Sequence, residues 1–184
     1  MFIIKKNYYF YIDNTKSIDL NSLISTKKII LIYRNNGLKE TIKKLSAFKK
    51  KCKIKQIKFY IANDYKMAKK CRADGLYLSS YNMKNYRNIE VIGSAHNHKE
   101  IINKIKQGCK TVILSRLFVT NYKKKKSFYG IIKYNLIAKQ YNISLIPLGG
   151  IRHSNLLRLN NLNTNGFAIL SELKKKPTIS SRLF

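Results

Sequence analysis

The most informative stretch of the chain is Ser144-Leu-Ile-Pro-Leu-Gly-Gly-Ile151, a short apolar run that ends in a glycine pair. A second apolar run, Gly166-Phe-Ala-Ile-Leu-Ser171, follows after a segment that Ser154 can open as a helix. Each run is too short for a helix, so the pattern indicates strand, glycine turn, helix and strand. Glycines at the end of a buried strand let backbone N–H groups approach an anion, so Gly149 and Gly150 are predicted to bind phosphate.

Further apolar runs of strand length precede this pair, at residues 8–12, 29–33, 57–61, 76–78, 90–94 and 111–114. Apolar, β-branched strands that alternate with helices are typical of a parallel sheet covered by helices. Eight units, counted from these runs, favour a closed (β/α)8 barrel, an α/β fold whose loops after strands 7 and 8 commonly bind phosphate. We therefore predict one compact barrel domain over residues 1–184, with a short or missing last helix.

Helical periodicity separates most of these strands. A helix is predicted after the second strand, where apolar residues share one helix face: Leu38, Ile42, Leu45 and Phe48. Another helix carries Ile101, Ile102 and Ile105 and ends at Gly108, and a further one is predicted over residues 131–140. The stretch between the fourth and fifth strands is too short for a good helix.

The cysteines and the hydrophobic pattern indicate a cytoplasmic globular protein. The three cysteines, Cys52, Cys71 and Cys109, form neither a disulfide framework nor a zinc motif, and we interpret them as buried or incidental thiols. No apolar run reaches the length of a membrane-spanning helix, and the opening residues are too short a stretch for a signal peptide. We expect a reduced cytoplasmic setting and no membrane partner.

The net charge is extreme, since 38 Lys and Arg residues face only 8 Asp and Glu residues, for a net charge of +30. Such an excess is typical of proteins that bind nucleic acid or an anionic surface. The lysines are spread along the whole chain, however, and Ile, Asn and Tyr are also abundant, as AT-rich codons would produce. Coding bias therefore accounts for the charge without a nucleic-acid partner. The one local cluster, at residues 123–126, follows a predicted strand end and can contact an anion.

Motifs at successive predicted strand ends resemble the thiamine phosphate synthase family and its thiazole tautomerase relatives. They read Ile61-Ala-Asn-Asp64, Ala73-Asp-Gly75, Ser94-Ala-His96 with Glu100, Phe118-Val-Thr120, Leu148-Gly-Gly-Ile151 and Gly166-Phe-Ala-Ile-Leu-Ser171. The resemblance covers about residues 8–173. It implies a (β/α)8 barrel and a transferase of thiamine biosynthesis that joins a pyrimidine pyrophosphate to a thiazole phosphate, with Mg²⁺ on the pyrophosphate. It also implies small phosphorylated substrates and a possible homodimer.

The resemblance assigns one group of residues to the pyrophosphate and its metal ion. Asn63 is implied as a substrate ligand and Asp64 as a Mg²⁺ ligand, while the family's second metal-binding aspartate is replaced by Asn82. An amide in that place would hold Mg²⁺ more weakly than a carboxylate. Arg34 retains the arginine of the family's pyrophosphate grip, whereas the histidine and glutamine after strand 4 are missing.

Other positions are implied to hold the phosphate groups of both substrates. Ser94 and Lys123 match pyrophosphate-binding positions, and Thr120 is implied as a further substrate ligand. The thiazole phosphate is expected at Gly149, Gly150, Leu170 and Ser171. Catalysis is assigned to Arg34 and Lys123, because cations stabilise the departing pyrophosphate. The phosphate half of the site is better retained than the metal half.

The tautomerase branch is disfavoured by a single position. That branch uses a histidine near the end of strand 6, where this chain has Arg116. Arginine does not deprotonate at working pH and cannot act as a general base. His96 matches a family position, but a histidine there can also simply hydrogen-bond a loop.

Several alternatives stay open on the sequence alone. Asp64 can cap the following helix instead of binding metal, Asp74 fits a structural turn, and Arg34 can form a surface ion pair instead of binding an anion. For the whole protein, the alternative to the enzyme is a divergent barrel that binds a small phosphate without coupling chemistry. A basic nucleic-acid-binding protein is a third, weaker hypothesis.

Overall fold

The structure, a computed structural model, describes residues 7–23, 26–35, 37, 39–120 and 127–169. Parallel strands close into one barrel in sequence order. They are β1 (Asn7–Ile12), β2 (Ile29–Tyr33), β3 (Lys58–Ala62), β4 (Gly75–Leu78), β5 (Glu90–Ala95), β6 (Thr111–Ser115), β7 (Ser144–Leu148) and β8 (Gly166–Ile169). The ring closes where β8 pairs with β1, since Asn7 lies opposite Gly166. The predicted eight-stranded barrel is confirmed.

The helices lie between the strands and cover the outside of the barrel. They are α1 (Ile42–Ile54), α2 (Tyr65–Lys70), α3 (His98–Lys106) and α4 (Gly130–Lys139). The connection before β8 is a 3-10 helix, His153–Asn161, where the sequence predicted a helix opened by Ser154. In the described part of the β1–β2 connection, two short 3-10 turns, Leu20–Ser22 and Thr26–Lys28, stand in place of an α-helix.

The buried faces of α1 and α3 differ from simple periodicity. In α1, Leu45 and Phe48 are buried as predicted, whereas Ile42 is partly exposed and Leu38 lies outside the described residues. In α3, Ile101 is buried but Ile102 and Ile105 are 44% and 37% exposed. The position that α3 buries in addition to Ile101 is Lys104, a charged side chain with 0% exposure.

The barrel interior is rich in tyrosine. Alternate strand residues point inward and form one buried cluster: Tyr9, Tyr11, Ile30, Ile32, Tyr60, Tyr77, Ile92, Ile113, Ile146 and Ala168. The rings of Tyr11 and Tyr77 meet edge to face with centroids 5.5 Å apart, and Tyr11 Oη donates to Tyr77 Oη at 3.1 Å. Both rings stand near the carboxyl ends of their strands, so they form the floor of the barrel mouth.

The thiols lie in the outer layer, between the strands and the helices. Cys52, Cys71 and Cys109 are all buried and unpaired, which confirms their interpretation as buried thiols. Burial raises the pKa of Cys52 to about 12 and that of Cys109 to about 11. Within the described ranges, no helix is both long and apolar enough to cross a membrane.

Candidate functional site

The first half of the candidate site lies where β3 and β4 end. Asn63 follows β3 with φ of 58°, and its side-chain oxygen accepts from Ser79 N at 3.0 Å and Asn82 Nδ2 at 3.1 Å. Its amide nitrogen donates to Ser79 Oγ at 2.7 Å and Tyr81 Oη at 3.2 Å. Asn82 therefore lies beside Asn63, while its own side-chain oxygen accepts from Lys84 N at 3.0 Å.

Asp64 caps α2, which is one of the two roles that the sequence left open for this residue. Its Oδ1 accepts from Met67 N at 2.9 Å, and its Oδ2 accepts from the exposed Lys39 ammonium at 3.2 Å. Among the described residues, no group of three or more His, Cys, Asp and Glu side chains is placed to hold a metal. One carboxylate together with substrate phosphate oxygens is nevertheless a donor set that Mg²⁺ accepts. The metal roles of Asp64 and Asn82 stay predictions.

A cleft of about 300 Å³ opens above this half of the site. Its lining combines cationic, polar and apolar side chains: Tyr33, Arg34, Asn35, Lys39, Ile61, Ala62, Asn63, Asp64, Met67 and Tyr81. With two cations and one carboxylate in the lining, the cleft carries a net positive charge. Such a cleft favours a ligand that brings its own negative charge.

Arg34 is the cation at the inner side of this cleft. Its backbone N–H donates to Ile12 O at 2.8 Å, which fixes the residue directly after β2. Burial raises the pKa of both Tyr11 and Tyr77, and the positive charge of Arg34 opposes that shift, so the guanidinium lies near the tyrosine floor. Within the described residues, no carboxylate pairs with Arg34. The surface ion pair considered from the sequence is therefore not seen there.

Ser94 stands at the end of β5 next to the tyrosine floor. Its side chain is buried, donates to Leu78 O at 3.5 Å and also hydrogen-bonds Tyr77. Tyr77 occupies the position at which the family pattern has the histidine that this chain is missing. The barrel mouth thus ends on phenol and serine hydroxyls, which can hydrogen-bond a polar ring.

The second half of the site is the glycine turn after β7. Gly149 and Gly150 have φ of 100° and 69°, a region that favours glycine. A Cβ on Gly150 would lie 2.5 Å from Val119 O, so the turn packs directly on the loop after β6. Asn155 Nδ2 donates to Gly150 O at 2.8 Å from the other side. The Gly150 N–H has no acceptor among the described residues, which leaves it available to an anion.

Arg116 brings a cation to this turn, and sequence reasoning used it only as an argument against the tautomerase. Its Nη1 donates to Thr120 Oγ1 at 3.2 Å. Its Cβ and Cγ lie so close to Gly149 that a Cβ there would be 3.2 and 3.1 Å away. The signal that could have identified it is an arginine at a strand end, four residues before the predicted substrate ligand Thr120. Lys123, Leu170 and Ser171 lie outside the described residues, so their roles stay predictions.

His96 and Asp74 make contacts that hold loops. His96 Nδ1 lies 2.7 Å from Ser115 Oγ. The backbone N–H of His96 donates to Glu100 Oε2 at 2.8 Å, and its backbone carbonyl accepts from the Tyr129 hydroxyl. These contacts tie β5, β6 and the start of α4 together. Asp74 accepts from Phe59 N at 2.7 Å and pairs with the Lys49 ammonium, as a structural turn residue would.

Comparisons with known proteins identify the family to which the chain belongs. The family model described as thiamine monophosphate synthase matches residues 12–173. The thiamine-phosphate synthase of Prochlorococcus marinus subsp. pastoris is 30% identical over 93% of this chain, which spans about half, 52%, of that relative. That of Pelagibacter ubique is 29% identical over 91% of this chain and 88% of the relative. The solved thiamine phosphate pyrophosphorylase from Pyrococcus furiosus has the same fold, with a TM-score of 0.73 and 15% identity over 97% of both chains. The chain belongs to the thiamine monophosphate synthase family.

Proposed function

We propose that the chain is a thiamine-phosphate synthase that joins a hydroxymethylpyrimidine pyrophosphate to a thiazole phosphate and releases pyrophosphate. The observation that supports this most is the pair of separate anion sites at the barrel mouth. One is the positive cleft with Arg34 beside Asp64, and the other is the Gly149–Gly150 turn with Arg116. Two substrates that each carry phosphate need two such sites.

In the proposed reaction, the bond between the pyrimidine methylene carbon and the pyrophosphate oxygen breaks, and the electron pair leaves with the oxygen. The thiazole nitrogen then forms the new bond to the cationic carbon, so no protein nucleophile takes part. Arg34 stabilises the negative charge that develops on the departing pyrophosphate, while Gly150 and Arg116 orient the second substrate. When bound, Mg²⁺ supplies further positive charge to the pyrophosphate, and Asp64 is the residue that would hold it, with Asn82 as a weaker ligand.

Asp64→Asn separates the metal role from the capping role, because asparagine caps helices as well as aspartate does. We expect the rate of thiamine phosphate synthesis to fall about a hundredfold, because charge stabilisation of the departing pyrophosphate is lost. Mass spectrometry of a mixture with both substrates and Mg²⁺ measures this rate. The melting temperature should stay close to that of the wild type. Asp19→Asn is the matched control, since Asp19 caps a 3-10 turn through Asn21 N at 2.9 Å and lies outside the cleft. Full activity of Asp64→Asn would contradict the metal assignment.

One observation supports a second function, a barrel that binds a small phosphate without coupling. Both Asp64 oxygens and the Asn82 side-chain oxygen already have protein partners, whereas the Gly150 N–H has none among the described residues. This function predicts no thiamine phosphate from any substrate mixture. Thiazole phosphate would still raise the melting temperature, because a ligand that binds only the folded state stabilises it.

Arg116→Met tests whether the cation at the glycine turn binds phosphate, since methionine keeps most of the stem that packs on Gly149. Charge-assisted hydrogen bonds contribute most to such sites, so we expect the Kd of inorganic phosphate to rise about tenfold in titration calorimetry at fixed salt. Arg158→Met is the matched control, because Arg158 is another arginine near the loop after β6. Its Cζ lies 5.7 Å from the centroid of the Phe118 ring. Equal losses in both variants would show that only net charge matters.

A further inference from the structure

Lys104 is a fully buried lysine on the inner face of α3, where the helix packs on β5. Its stem crosses β5 at Gly93, since a Cβ on that glycine would lie 2.8 Å from Lys104 Cγ and Cδ. The backbone of Gly93 does not have a positive φ. The glycine therefore supplies space rather than an unusual backbone conformation, and that space is filled by the lysine.

The Lys104 ammonium is held by one backbone oxygen of the connection between β4 and β5 and by the side chain of Gln107. Its Nζ donates to Asn82 O at 2.6 Å and to Gln107 Oε1 at 2.9 Å. Gln107 Nε2 in turn donates to Asn82 O at 3.0 Å and to Lys84 O at 2.8 Å. Lys104 of α3 and Gln107, the residue directly after this helix, thus hold two backbone carbonyls of residues 79–89, which we call the β4–β5 loop.

No carboxylate pairs with this cation within the described residues. Burial lowers the pKa of the Lys104 ammonium, and Cys109 and Glu100 oppose that shift. Lysine is almost never fully buried without compensating partners, because removing its charge from water is costly. Here the compensation comes from the Asn82 carbonyl of the loop and from Gln107 Oε1, so burial of Lys104 and the position of the loop depend on each other.

The opposite side of the same loop faces the candidate site. Asn82, whose carbonyl binds Lys104, donates through Nδ2 to Asn63 Oδ1 at 3.1 Å. Tyr81 Oη accepts from Asn63 Nδ2 at 3.2 Å. Asn63 precedes Asp64 at the edge of the cleft, so a short chain of contacts links the barrel wall to the pyrophosphate half of the site.

We propose that Lys104 is a positioning residue that fixes the β4–β5 loop, and through Asn82 the Asn63 amide, without help from a metal ion. A carboxylate at position 82 could be held by a metal ion. In this chain Asn82 is held instead through its backbone carbonyl, by Lys104. The effect on the loop stands alone, and the effect on substrate binding rests on the proposed function.

Hydrogen exchange measured by mass spectrometry tests the loop directly. Ser79 N, Asn82 N and Lys84 N all donate hydrogen bonds within this network and report its opening. In Lys104→Met, which keeps an apolar stem over Gly93, we expect these amides to exchange about tenfold faster. Peptides from β6 and β7 should exchange as in the wild type, and so should the loop of Lys106→Met, an exposed lysine of the same helix. Adding EDTA or Mg²⁺ to the wild type should leave loop exchange unchanged.

The inference is overturned if the loop of Lys104→Met exchanges at the wild-type rate. It is equally overturned if EDTA opens the wild-type loop as much as the substitution does. Should Lys104→Met not fold, Gln107→Leu removes two of the carbonyl contacts while keeping the lysine, and faster exchange confined to the loop is expected there too.

Kinetics separate a positioning role from a merely structural one. The β4–β5 loop borders the cleft, whereas the Gly149–Gly150 turn follows β7. Lys104→Met should therefore raise KM for the pyrimidine pyrophosphate about tenfold and leave KM for the thiazole phosphate unchanged. Equal changes in both would overturn the positioning role. If the wild type makes no product, the proposed function fails, and loop exchange with calorimetry of inorganic pyrophosphate still decides this inference.

Discussion

We expect Gly150→Ala to lose most of its affinity for phosphate and to melt at a lower temperature. The new Cβ would lie 2.5 Å from Val119 O and 2.7 Å from Phe118 C, and neither backbone atom can rotate away. The loop after β6 must therefore shift and carry Arg116 and Thr120 with it. A displacement of this kind costs about a hundredfold in a positioned site, and the clash with strain at φ of 69° costs about 1–3 kcal/mol of stability.

Gly108→Ala is the matched control for this substitution. Gly108 also has positive φ, 82°, but a Cβ there would meet nothing within 4 Å. It therefore carries the backbone strain without the clash, at a cost of about 1 kcal/mol. Titration calorimetry with inorganic phosphate, alongside melting curves, should show normal binding in Gly108→Ala. Normal binding in Gly150→Ala would remove the glycine turn from the site.

The folded barrel should lose stability steeply in alkaline solution. Burial raises the pKa of Cys52, Cys109 and Tyr9 to about 12, 11 and 12, from ordinary values of 9.0 for the thiols and 10.0 for the phenol. Above the ordinary values the unfolded chain releases protons that the folded chain keeps, so the free energy of unfolding falls as pH rises. The stability is fully present below about pH 9 and is lost through about pH 12, at about 1.4 kcal/mol per pH unit for each group.

Urea unfolding of the wild type and of Cys52→Ala/Cys109→Ala, in reducing buffer from about pH 8 to about pH 11, measures this effect. The double variant is less stable at the lower pH because the substitutions leave cavities. Its free energy of unfolding should, however, fall less steeply with pH, and the two slopes should differ by about 3 kcal/mol per pH unit. Loss of lysine charge reduces self-repulsion equally in both proteins and cancels in the comparison. Parallel curves over the whole range would show that the two thiols do not retain their protons.

Most of the barrel follows from local rules, and the departures follow from contacts between distant elements. Ile29–Tyr33 is an apolar, β-branched run bounded by polar residues, and its strand has the predicted bounds. Along α3, periodicity favours burial of isoleucines and exposure of lysines, yet Lys104 is buried and Ile102 is exposed. The cause is the space above Gly93 on another element, which no pattern within the helix can reveal.

The same limit applies to the candidate site. The family resemblance assigned Asn63, Asp64 and Asn82 to one half of the site, and in the structure Asn82 hydrogen-bonds Asn63, the residue before Asp64. The sequence could not distinguish a capping aspartate from a metal ligand, since an aspartate just after a strand can serve either role. The sequence also did not show that Arg116 packs on Gly149, because the two residues are far apart along the chain.

The tyrosines inside the barrel make its closure visible to optical spectroscopy. The chain has 13 tyrosines and no tryptophan, so tyrosine dominates its aromatic spectrum. Tyr11 on β1 and Tyr77 on β4 are held edge to face across the barrel interior, and a fixed asymmetric environment is what produces near-ultraviolet circular dichroism. That signal reports whether the barrel is closed, whereas the far-ultraviolet signal persists in any compact state that keeps its helices. A variant that keeps the second signal and loses the first has lost its closed interior.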